Sequence, residues 1–294
     1  MSSAADLPPV IRLNATGGLG NRMFECLFAH RLAAELPGAV LTGSALPEWG
    51  IAFPARPLPH PSITIQGHRP DLPRLGMLVR QGLLRGIETN CLACRMDLLP
   101  PLDVAHALFP AEVAEVAYGD DALVINLRLA EILGPRHKDY RPLPIAYYDR
   151  LIAGTGLRPV FIGQLGDDPY STALRARYPR AEFERSRGAM ADFAVLRSAH
   201  HLVLPVSTFS WLAAWLSEAS TIHLPLIGFF HPKRRPEVDL VPLADPRYRF
   251  HLFPADAWTG TDEALRGAIE GKEAGVEISA RDAASLVHGV IWGD

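Results

Sequence analysis

The chain is poor in cysteine, nearly without lysine, and has no long apolar run. Its 294 residues include three cysteines, too few for a paired disulfide framework. No stretch of about 18 consecutive apolar residues occurs, so no membrane-spanning helix is expected. The opening MSSAADLPPVIRLN lacks the basic-then-apolar pattern of a secretory leader, and a cytoplasmic location is the expectation. Only Lys138, Lys233 and Lys272 interrupt an otherwise all-arginine set of 29 basic residues, a bias that fits a GC-rich bacterial coding sequence. Against 32 acidic residues these give a net charge of −3, with a pI near 6.4. Such a chain has no global positive field to gather nucleic acid or an anionic membrane surface.

Cys91 and Cys94 form one CxxC pair. A structural zinc site needs four ligands, and no second pair or spaced histidine motif follows. Both residues, and Cys26 within an apolar helical pattern, are therefore read as small core side chains. No metal site is expected.

What is present is core material. Hydrophobic residues make up 48% of the chain and charged residues 21%, with a mean hydropathy of +0.08, far from the composition of a disordered chain. At about 150 residues per domain, the length suggests two lobes. Val10 to Asn14 reads as a strand, followed by Gly17, Gly18 and Gly20 and a helical stretch from Arg22 to Leu36. In that stretch Phe24, Leu27, Phe28 and Leu32 recur at the helical period. AVLTG supplies a second strand. From Leu46 to Pro73 prolines are dense, interrupted by the strand-like ITIQG, and little helix is expected there. The break at Tyr118-Gly119-Asp120-Asp121 sets a boundary between lobes 1–119 and 120–294. In the second lobe LVINL, VFIG, LVLP and TIHL alternate with helical stretches near Ile145, Tyr170, Ala191 and Phe209. That alternation predicts a doubly wound parallel sheet. The tail from Thr261 reads as helical.

Open parallel sheets bind ligands beyond the carboxyl ends of their strands, so the residues following each strand matter most. Thr16 to Phe24 (TGGLGNRMF) places glycines between a strand and a helix N-terminus, which suits either an anion or a ligand-free tight turn. Read as a dinucleotide fingerprint it is incomplete: the third glycine position holds Met23, and the second strand ends in Thr42-Gly43-Ser44 without a ribose-binding acid. Arg128 follows LVINL, with Asn126 on the same strand face, and a guanidinium there can clamp a phosphate or form an ion pair. Glu131, His137 and Asp139 are competing candidates for a general base. After LVLP, Ser207 or Thr208 can cap the next helix, and Trp211 and Trp215 share a helix face. Asp192 fits the acidic first turn of a helix.

In this order the segments resemble the GDP-fucose-dependent fucosyltransferases of GT-B fold, above all the bacterial α-1,2 enzymes. TGGLGNRMF is similar to their GGLGNQMF opening, and Asn126 to Glu131 (NLRLAE) to HxRRGD, with Arg128 on the first arginine. Pro144 to Ile152 resembles LDYYxxAI, and Gly163 to Asp168 resembles FSDD. Asp192 to Leu216 (DFAVLRSAHHLVLPVSTFSWLAAWL) is similar to DxxLMSxCxHxIxSNSSFSWWGAWL. The resemblance spans about residues 10 to 230. It implies a GT-B-like α/β fold of two Rossmann-like lobes with a cleft between them, the acceptor side in the first lobe and the donor site in the second.

The implied activity is an inverting, metal-independent glycosyl transfer from a GDP-sugar to a glycan, lipid-linked or small-molecule hydroxyl, with no cofactor beyond the co-substrate. Arg128 would stabilise the leaving diphosphate and Glu131 would act as base. Gly17, Gly18, Gly20, Asn21, Arg22, Asn126, Asp192, Ser207, Thr208 and Phe209 would contact the donor. The chain departs from the pattern at Asn126, Leu129, Ala130 and Glu131, where the family has histidine, arginine, glycine and aspartate. A second guanidinium would then come from Arg22 or Arg136. A different nucleotide-sugar, or a nucleotide-sugar-binding protein that has lost turnover, are the alternatives.

Overall fold

The computed structural model describes residues 8–14 and 16–291. Most of the stretch that bears on a leader peptide, residues 1–7, lies outside that range. The chain divides into two compact units, residues 1–110 and 111–294. Residues 111–121 carry no helix or strand, so both this division and the Tyr118–Asp121 break fall in or at the edge of one connector.

In the first unit, β1 (Val10–Leu13) leads into α1 (Leu19–Glu35), which buries Met23, Phe24, Leu27, Phe28 and Leu32. These positions fall on one stripe of a 3.6-residue helix, which packs that face on the sheet core. Then come β2 (Val40–Gly43), β3 (Ser62–Gln66), α2 (Leu72–Arg80), β4 (Gly86–Asn90) and α3 (Leu102–Leu108). The four strands form a parallel sheet in the order β2-β1-β4-β3. Gly43 has φ +103° and a Cβ there would lie 2.1 Å from the Leu13 carbonyl oxygen, so β2 closes on β1 only with glycine at that position. Helix α2 follows directly on the proline-dense stretch. Asp71 caps it by accepting from the Arg74 N–H, and Pro73 stands in its first turn, where a missing N–H costs nothing.

The second unit begins at β5 (Ala122–Leu127), whose six residues are all buried. The chain continues through α4 (Ile145–Thr155), β6 (Arg158–Gly163), α5 (Pro169–Arg177), β7 (Glu182–Arg185), α6 (Ala189–Ser198), β8 (His201–Val203), α7 (Thr208–Trp215) and β9 (Thr221–Leu226). It ends with β10 (Tyr248–Leu252), α8 (Asp262–Glu270), β11 (Val276–Ile278) and α9 (Ala280–Ile291). The sheet order is β11-β10-β9-β8-β5-β6-β7. All neighbours are parallel except β10 and β11. The expected parallel α/β architecture is therefore present in both units. The tail departs from its helical expectation at β11, three residues that pair antiparallel along the edge of β10.

Starting from β5, the chain builds outward through β6 and β7, returns to the other side at β8, and builds outward again through β9 and β10. The strand order thus reverses between β5 and β8, where Val124 pairs with Leu202 and Ile125 with Val203. At such a switch point the connections on either side leave in opposite directions and open a crevice beyond the carboxyl ends. Arg128 and the Leu204–Ser207 turn stand there.

Candidate active site

Beyond β5, the Arg128 guanidinium is fixed on three sides. Its Nη1 donates to the Val206 carbonyl at 3.3 Å, while Nε and Nη2 donate to Glu131 Oε1 at 3.2 and 2.9 Å. Its planar face lies 4.6 Å from the centre of the Tyr140 ring, a distance at which the ring quadrupole attracts the cation. Tyr140 stacks on Phe229 at 5.4 Å with the rings 15° apart, and Arg235 covers Phe229 at 5.1 Å. Asp139 ties the end of this column down, accepting from Arg234 at 2.8 Å and Arg235 at 2.9 Å. The result is a layered arrangement of Arg128, Tyr140, Phe229 and Arg235 across the end of the sheet.

Val206 and Ser207 lead into α7. Ser207 caps that helix, its Oγ accepting from the Ser210 N–H at 3.3 Å, and Thr208 is buried beside it. Phe209 meets Phe193 edge to face at 5.3 Å. Asn126 is buried, and both ends of its amide are engaged: Nδ2 donates to the Ile162 carbonyl at 3.2 Å and Oδ1 accepts from Ser210 Oγ at 2.6 Å. In the structure it ties β5 to β6 and α7. Gly163 at the end of β6 makes that closeness possible. It has φ +116°, and a Cβ would meet the Leu127 carbonyl at 2.5 Å and Asn126 Nδ2 at 2.9 Å.

Arg128, Asn126, Ser207 and Thr208 are therefore brought together at the strand reversal, with Phe209 on the following residue of α7. Asp192 lies in the first turn of α6, where Oδ1 accepts from the Arg187 N–H at 3.0 Å and Oδ2 from Ser186 Oγ at 2.5 Å, and so holds the turn that precedes its own helix. Glu131 shares its Oε1 with two nitrogens of Arg128. Burial pushes its carboxyl up, but the Arg128 hydrogen bonds and charge outweigh this and hold it below the usual glutamate range. A carboxylate so stabilised is a weak proton acceptor.

In the first unit, Gly17 takes φ +82°. Gly18 opens α1, its carbonyl accepting from the Asn21 and Arg22 N–H groups at 3.0 and 3.2 Å. Gly20 lies within the first turn of that helix. Arg22 forms a two-point pair with Glu48, donating from Nη1 at 3.1 Å and from Nη2 to the other oxygen. That pair joins α1 to the turn at Pro47–Trp49. Arg136 is exposed. Cys26, Cys91 and Cys94 are buried, and burial pushes the thiols of Cys26 and Cys91 up to about 12, which keeps them in the unreactive protonated form.

The sequence reading did not single out Phe229, Arg234 or Arg235. A signal existed in the only basic triplet of the chain, Lys233-Arg234-Arg235, but nothing in the sequence connects it to Asp139 nearly a hundred residues earlier.

No family model matches the sequence, and no curated protein matches it. Solved structures that share the arrangement include Arabidopsis thaliana FUT1 in complex with GDP, at 14% identity over 74% of this chain and 70% of that one, with a TM-score of 0.46. E. coli ADP-heptose lps heptosyltransferase II matches at 12% identity over 97% of this chain and 98% of that one, with a TM-score of 0.41. AviGT4, a glycosyltransferase involved in avilamycin A biosynthesis, matches at 15% identity over 97% and 96%, with a TM-score of 0.39. At these scores the description of the site rests on this chain's own strand order and hydrogen bonds. No helix among the described residues is long and apolar enough to cross a membrane.

Proposed function

We propose that the protein is a GT-B-type glycosyltransferase that moves a sugar, L-fucose foremost, from a GDP-sugar to a hydroxyl of a glycan or small-molecule acceptor. Transfer proceeds with inversion and without an obligatory metal ion. The observation that carries this reading is the anchoring of Arg128 on the Val206 carbonyl, beside the Ser207-capped start of α7, at the reversal of a parallel sheet. A departing nucleoside diphosphate gains negative charge as the glycosidic bond breaks. A guanidinium is charged at every physiological pH and presents a flat pair of donors that matches two phosphate oxygens. Its position is fixed before the reaction, so little reorganisation is needed as the charge develops. The positive end of α7 adds to the same field. The preference for GDP and fucose comes from the order of the sequence segments, with Asp192 to Leu216 the most specific among them.

Calorimetric titration of GDP, UDP, ADP and NAD, followed by a GDP-release assay with GDP-fucose and GDP-mannose, tests the reading. GDP binds, and Arg128→Ala weakens it about tenfold or more, the loss of charge-assisted hydrogen bonds of about 1.5–3 kcal/mol, while thermal unfolding is unchanged. Wild-type GDP affinity in Arg128→Ala overturns the reading. Abolition of transfer by a chelator overturns its metal-free part.

A second reading is favoured by two observations. Glu131 occupies the Nε/Nη2 edge of Arg128, and Leu129, where the resembled family has its second arginine, is buried with 1% exposure. In that reading the protein binds a nucleotide-sugar without turning it over. GDP binding with no GDP release from any donor distinguishes it.

A further inference from the structure

We infer that the first unit holds a second, smaller ligand site: a hollow beyond the carboxyl ends of β1, β3 and β4 that takes a single sugar ring, gripped by Glu25, His68 and Asn90. The cavity measures about 190 Å³ and is lined by Thr16, Glu25, His68, Asn90, Cys91 and Leu92. Thr16 follows β1, His68 follows β3, and Asn90 to Leu92 close β4, so three loops converge where a parallel sheet places its ligands. Pockets for drug-sized ligands run to roughly 300–1,000 Å³. This one is too small for a nucleotide and suits one ring.

Its floor is a carboxyl with 1% exposure, which is an expensive group to bury. Both hydrogen bonds that Glu25 receives fall on one oxygen: Oε1 accepts from Thr89 Oγ at 2.8 Å and from the Asn14 N–H at 3.2 Å. Oε2 has no hydrogen-bonding partner among the described residues, and burial raises the pKa of the group. Pinning the ends of β1 and β4 accounts for one oxygen only. His68 contributes a donor of defined identity. Its Nδ1 accepts the Cys94 N–H at 3.2 Å, so the ring proton of the neutral form resides on Nε2.

Hydroxyl groups both donate and accept. The lining matches that, combining a carboxyl oxygen, an imidazole N–H, the Asn90 amide and the Thr16 hydroxyl, with no cationic side chain among them. Cys91 and Leu92 give an apolar wall for the C–H face of a ring. If the protein transfers sugars, the ring belongs to the acceptor, and that assignment rests on the reading above; the site itself does not.

Saturation-transfer NMR on the full chain with D-glucose, D-galactose, D-mannose, L-fucose, L-rhamnose and N-acetyl-D-glucosamine tests the hollow. At least one sugar gives a signal at millimolar concentration. Glu25→Gln, which keeps an oxygen for Thr89 and Asn14, and Asn90→Ala, at an exposed rim position, each weaken that sugar at least fivefold, with GDP affinity and thermal unfolding as in the wild type. No signal from any of the six sugars, or sugar binding unchanged in both variants, overturns the inference. GDP titration in the same samples separates the two conclusions: sugar binding without GDP binding defeats the proposed function alone, and GDP binding without sugar binding defeats the hollow alone.

Discussion

Two nitrogens of Arg128, Nε and Nη2, converge on the single Oε1 of Glu131 at 3.2 and 2.9 Å. That edge of the guanidinium is the one that would meet a phosphate in a two-point clamp. Glu131 therefore keeps Arg128 aligned while the site is empty and competes with the anion when it arrives. The Glu131 side chain is 41% exposed, so the pair is worth on the order of 1 kcal/mol or less. Glu131→Gln is expected to tighten GDP binding about threefold, measured by calorimetry at fixed ionic strength. Weaker GDP binding in Glu131→Gln contradicts the competition. Turnover measured on the same variant decides whether Glu131 also takes a proton, since loss of a general base lowers kcat about a hundredfold or more.

Much of the second unit was legible in the sequence because its strands are buried on both faces and read as continuous apolar runs. LVINL, VFIG and TIHL each mark a strand of the sheet. The strands that escaped notice, β7 (EFER), β10 (YRFHL) and β11 (VEI), interleave charged and apolar residues. Two of them lie at sheet edges, where one side faces no neighbour and the apolar signal fades. At the site, Arg128 and Ser207 were legible because each directly follows a strand. The Tyr140–Phe229 platform was not, because stacking between residues so distant in the chain leaves no local period. Asn126 was read as a ligand contact, yet its polar atoms are spent within the fold, a distinction that residue type alone cannot make.

Gly228 connects the platform to the backbone. It has φ +53°, and a Cβ would lie 2.3 Å from the Asp139 carbonyl oxygen, the same oxygen that accepts the Phe229 N–H at 2.7 Å. Gly228→Ala combines a strained backbone with a clash against a rigid acceptor. It is expected to cost about 2 kcal/mol or more in urea unfolding, and to weaken GDP binding through loss of the Tyr140–Phe229 stack beneath Arg128. Unchanged stability in Gly228→Ala would show that the 139–140 segment yields easily and is no fixed support.

Stability below neutral pH depends on a buried histidine pair at some distance from this end of the sheet. Arg150 Nη2 donates to His251 Nδ1 at 2.8 Å, and His251 Nε2 lies 2.9 Å from His223 Nδ1. A guanidinium only donates, so His251 Nδ1 must accept, its Nε2 must carry the proton, and His223 Nδ1 must accept in turn. Both rings are thereby committed to the neutral form. Burial lowers both pKa values, helped by Arg249, His201 and Arg150 around His223 and by His223 and Arg150 around His251. An unfolded histidine titrates near pH 6.5, so below that value the unfolded chain binds protons that the folded chain refuses. Stability is therefore full above about pH 6.5 and falls as the pH drops, by about 1.4 kcal/mol per pH unit for each histidine. Glutamine at position 251 can accept from Arg150 and donate to His223 while titrating nowhere in this range. Urea unfolding of His251→Gln between pH 7 and 5 should show a slope shallower by about one proton, with stability at pH 7 close to that of the wild type. An unchanged slope would place the acid sensitivity elsewhere in the chain.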